Sequence, residues 1–111
     1  MGFNSPEWVI GFIGSQLYNC VATGIYSTNA PDACLYQADH SEAEVILVEN
    51  NELLKRFTSN LDKLPRLKAL VVWDEAALPS DVKDSRFFLW KDFLKLGAEV
   101  NTAVIDEKIA R

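Results

Sequence analysis

The sequence predicts an α/β fold: a partial parallel sheet of about three strands joined by crossover helices, followed by a C-terminal helical segment. Two observations predict it. Short runs such as Val45–Val48 and "LKALVVW" (Leu67–Trp73) are almost wholly apolar, the pattern of strands covered on both faces. Between such runs lie segments with helical spacing, and the strand-to-strand interval is about 23 residues, one helix per interval.

"NSPEW" starts the first helix. Ser5 is placed to cap, Pro6 fits the first helical position, and Glu7 meets the positive end of the dipole. The helix continues through "WVIGFIGSQLY", where Trp8, Val9, Ile10, Phe12, Ile13, Leu17 and Tyr18 surround most of the cylinder. Such a helix is expected to be buried by neighbours on several sides. Gly11 and Gly14 share a face and would let another backbone approach closely.

Val21–Tyr26 reads as the first strand, with Gly24 inside it, and "STNAP" as the turn after it. Asn29 or Ala30 caps the next helix, "PDACLYQADH", which ends near Ser41. "EVILVEN" gives the second strand. "NNELLKRFTSNL" is a helix capped by Asn50 or Asn51, with Leu53, Leu54, Phe57 and Leu61 at helical spacing. "LKALVVW" is the third strand. Residues 74–86, "DEAALPSDVKDSR", read as an acidic surface loop. "FFLWKDFLKLG" resumes helical spacing through Phe88 or Leu89, Phe93 and Leu96, with Gly97 as its stop. "NTAVIDEKIAR" is the last helical segment.

Three strands leave open sheet edges, an association hazard that finished domains cover. With the apolar first helix, this predicts either a piece of a larger domain or a chain that pairs with something.

Composition narrows the function. The net charge is −5 and the dispersed Lys and Arg residues make no phosphate footprint, which argues against nucleic-acid binding. The apolar stretch Trp8–Tyr18 is too short and too broken to span a bilayer. No signal peptide is visible. Two cysteines, Cys20 and Cys34, suit a reducing compartment and read as small buried hydrophobes. With His40 as the one histidine, they fall short of the four ligands zinc takes.

No catalytic, cofactor-binding or metal-binding residue is assigned. The phosphate-loop patterns G-x-x-x-x-G-K-[ST] and G-x-G-x-x-G do not occur, nor does G-x-S-x-G. The hydroxyls of "YSTN" before a helix make a weak anion site in principle, but a plain strand-to-helix turn is the better reading. His40 reads as a residue facing a helix C-terminus, and Asp39, Glu42 and Glu44 as solvated acids. Asp74 ends a strand as a phospho-acceptor would, without the acidic pair such a site needs. Trp8, Phe12, Trp73 and Trp90 are read as packing residues before lipid contacts.

The runs "GFNSPEW", "ATGIYSTNAPDACLYQADHSEAEVILVEN", "LDKLPRLKALVV" and "LWKDFLKLG" together resemble the AMP-binding, adenylate-forming acyl-CoA synthetases, and within them the bubblegum-type long-chain-fatty-acid–CoA ligases. The likeness runs in order along nearly the whole chain. It implies that residues 1–111 are an incomplete N-terminal part of an AMP-binding domain. It also implies a two-step reaction in the full-length enzyme: adenylation of a fatty acid with ATP and Mg²⁺, then transfer of the acyl group to CoA. In that family the catalytic parts are a Ser/Thr/Gly-rich phosphate loop with its lysine, an aromatic–Thr–Glu segment, a T-G-D segment and a late lysine. None has a match here, so no family site residue carries over and the segment alone is expected to bind no cofactor and to be inactive. The implied partner is the remainder of the domain, or another copy through open sheet edges. The implied location is cytoplasmic, or peripheral to the endoplasmic reticulum or other membranes. The other reading is a stand-alone α/β interaction or regulatory module derived from that family.

Overall fold

Ser5 opens the first helix as its spacing predicts: its Oγ accepts the Trp8 N–H at 3.2 Å, and Pro6 takes the first position of α1 (Pro6–Leu17). In the computed structural model, the residues described are 1–58, 61–75, 84–98 and 100–110. Asn19, in the left-handed region at φ 62°, turns the chain out of α1. A second helix, α2 (Pro31–His40), ends at Ser41, where Glu42 at φ 58° reverses the chain into β1 (Val45–Val48). Helix α3 (Asn51–Thr58) is capped by Asn50, whose Oδ1 accepts the Leu53 N–H at 3.0 Å. A single 3₁₀ turn (Leu61–Lys63) leads to β2 (Ala69–Val72). Then come β3 (Phe87–Leu89), α4 (Trp90–Gly97) and α5 (Thr102–Ile109), the last capped by Asn101.

The three strands form one parallel sheet in the order β1-β2-β3. Val45–Val48 align with Ala69–Val72, and Leu70–Val72 align with Phe87–Leu89. β2, in the middle, is buried along its whole length, which accounts for its unbroken apolar run. Leu53, Leu54 and Phe57 of α3 and Cys34, Leu35 and Ala38 of α2 close over the sheet with Val48, Leu70 and Val72. This is the core of the molecule.

The α/β class and the three-strand parallel sheet are as the sequence predicts, but one strand is exchanged. Val21–Tyr26 is not a strand; the run is irregular, with Val21 90% exposed. A strand is stable only when paired, and this run pairs with no strand among the described residues. The third strand is instead Phe87–Leu89, which sequence spacing assigns to a helix. Its pairing with Leu70–Val72 holds it extended, and the helix begins at Trp90.

Three further corrections concern burial. α1, expected to be enclosed, has no fully buried residue, and Val9, Ile10, Phe12, Ile13, Leu17 and Tyr18 are exposed. Cys34 is buried as expected but Cys20 is exposed, because it lies in the unpaired run after α1. The tryptophans are outside the buried core: Trp8 stacks on exposed Phe12 at 5.6 Å, and Trp73 and Trp90 are half-buried. The expected acidic loop at 74–86 lies mostly outside the described residues. Among the described residues no helix is long and apolar enough to cross a membrane.

Candidate functional site

Ligands of open parallel sheets bind outside the carboxyl ends of the strands. Here that end carries Glu49 and Asn50 after β1 and Trp73, Asp74 and Glu75 after β2. The first three residues cross it. Gly2, at φ 148°, fits so tightly that a Cβ on it would lie 2.6 Å from the Glu49 Cβ and 2.7 Å from the Trp73 ring. Two of the carboxylates are engaged by backbone. Glu49 Oε2 accepts the Phe3 N–H at 3.1 Å, and Glu75 Oε1 accepts the Asn51 N–H at 3.3 Å. Asp74 is exposed. The Asn51 Oδ1 is buried without a hydrogen-bond partner among the described residues. These groups hold the chain's start and the α3 entry against the sheet. Linear sequence singles out Asp74 and the Asn50 cap here; the Gly2–Trp73 fit joins residues far apart and has no local signal.

The "STN" turn has a different architect. The Arg56 guanidinium, on α3, donates to the carbonyls of Ser27 and Asn29, the latter at 2.9 Å. The Cys34 thiol donates to the same Asn29 carbonyl at 3.6 Å. Burial pushes the Cys34 thiol pKa up, with Arg56 acting against it. Helix α2 has no side-chain cap, yet the nearby cation already serves backbone oxygens. The turn is therefore a joint between α2 and α3. Arg56 escaped the sequence reading because its partners lie 27 and 29 residues away.

His40 sits in the last turn of α2, as expected, with its ring stacked on Tyr36 at 5.5 Å and 9°. Beside it an open depression of about 410 Å³ runs between Asp39, Glu42, Pro65 and Arg66, before the start of β1. Arg66 pairs with Glu42 at 2.5 Å, but both side chains are more than half exposed, so the pair contributes little to stability. Ser41 Oγ donates to the Ala38 carbonyl at 3.2 Å, so its hydroxyl serves its own helix. No Ser–His bond that would activate a nucleophile forms among the described residues. Among them, too, no group of three or more His, Cys, Asp or Glu could hold a metal ion.

With this geometry in hand, comparison with known proteins is direct. The model of the family described as "AMP-binding enzyme" matches residues 1–102. The chain is 36% identical over 112 residues to the long-chain-fatty-acid–CoA ligase ACSBG2 of Xenopus laevis, covering 99% of this chain and 14% of that protein. It is 37% identical to ACSBG2 of Gallus gallus, over 98% of this chain and 14% of that protein. It is 36% identical over 106 residues to ACSBG1 of Homo sapiens, over 96% of this chain and 14% of that protein. The chain thus spans about one seventh of the length of these curated relatives. No solved structure matches it. A family model that matches residues 1–102, from Met1 into the start of α5, means that the chain belongs to the AMP-binding enzyme family.

Proposed function

We propose that this chain is a structural segment of a long-chain-fatty-acid–CoA ligase. The whole enzyme would adenylate a fatty acid with ATP and Mg²⁺, release pyrophosphate and pass the acyl group to the CoA thiol. The segment would build part of the sheet-and-helix wall behind those sites and would not catalyse alone. Its identity to ligases along nearly its whole length supports the enzyme assignment. The observation that carries the structural role is α1: a helix apolar on nearly every side, with none of its residues fully buried. Such a surface calls for more protein around it.

Among the described residues, several polar groups that could meet ATP or Mg²⁺ are already engaged within the segment. Arg56 is held by carbonyls, and Glu49 and Glu75 accept backbone N–H groups. Its partner in this reading is the remainder of the AMP-binding domain. Two free thiols support a place in the cytoplasm, with attachment to the surface of the endoplasmic reticulum or another membrane left to the whole protein.

Fatty-acid-dependent ATP–pyrophosphate exchange tests both parts. The isolated chain should give none, and a full-length polypeptide containing it should give exchange and acyl-CoA. Exchange by the isolated chain would overturn the structural role. A folded full-length polypeptide that formed no acyl-CoA from any long-chain fatty acid would overturn the ligase assignment.

A further inference from the structure

We draw no further inference here: the strongest candidate, the exposed apolar stripe of α1 formed by Val9, Ile10, Ile13 and Leu17, carries none, because nothing in the structure shows what covers it.

Discussion

Gly11 of α1 lies directly against the Leu47 side chain of β1, so close that a methyl group at position 11 would displace the leucine's Cδ1. Gly14, one turn on, meets nothing within 4 Å. Both sit in a helix interior, where replacing Gly by Ala contributes about 1 kcal/mol. Gly14→Ala should therefore raise stability by about that amount. Gly11→Ala should fall short of it, and Gly11→Val should destabilise, because Leu47 must leave its rotamer or α1 must lift from the sheet. Urea unfolding of the three variants checks the order.

Arg56 ties α3 to the turn before α2 through two backbone carbonyls. Arg56→Ala removes charge-assisted bonds, each worth about 1.5–3 kcal/mol when buried and less at this half-buried site. A loss of about 1–2 kcal/mol is expected. Arg56→Lys should recover only part, since a single ammonium lacks the planar fork. The amide of Cys34, bonded to the Ala30 carbonyl, should exchange faster in Arg56→Ala than in the parent. An unchanged rate would mean that the turn stands without its clamp.

Phe57 is wholly buried among α2, α3 and the sheet. Phe57→Ala should cost about 3–5 kcal/mol through lost burial and the cavity left behind. That is a large part of what a domain of this size has to spare. Near-UV circular dichroism should report lost side-chain packing well below the parent's melting temperature.

The two thiols should separate cleanly by reactivity. Cys20 is exposed, while Cys34 is 0% exposed. Iodoacetamide at neutral pH should label Cys20 in the folded chain and reach Cys34 only when denaturant is added. Mass spectrometry of peptides reads both positions. Labelling of Cys34 at the rate of Cys20 would contradict the packed α2–α3 joint.

Asp84 is held by Arg86, which donates to it from both Nε and Nη2, at 3.0 and 2.7 Å. Those bonds bring its carboxyl down from 3.8 to about 2. The folded value lies below the unfolded one, so the pair's contribution is complete above the ordinary carboxylate range. It is lost as pH falls through about 2. An NMR titration of the Asp84 carboxyl should find its midpoint there, and Arg86→Gln should move it back up towards the ordinary value.

Local chemistry made much of this fold legible. Ser5, Pro31 and Asn50 mark helix starts because capping is decided within one turn. β1 and β2 are legible because strands covered on both faces must be apolar throughout. The exchanged strand was not legible for the same physical reason in reverse. Val21–Tyr26 has strand composition but no neighbour to pair with, while Phe87–Leu89 has only three residues and owes its conformation to Leu70–Val72. Arg56's hold on the "STN" turn and Gly2's fit under Trp73 depend on contacts across the fold, which residue types alone do not announce.

The open run after α1 decides how the chain would come apart. Val21 is 90% exposed, and Ala22, Thr23 and Gly24 are exposed beside it, so a protease has an accessible substrate there. A nick at that point severs the covalent tie between α1 and the sheet. The N-terminal peptide would still be retained by the Met1–Leu47 and Glu49–Met1 bonds, the Gly2 fit against Trp73, the Gly11–Leu47 contact and the Asn19–Lys108 bond. The nicked protein would behave as a two-piece assembly whose smaller piece dissociates on dilution.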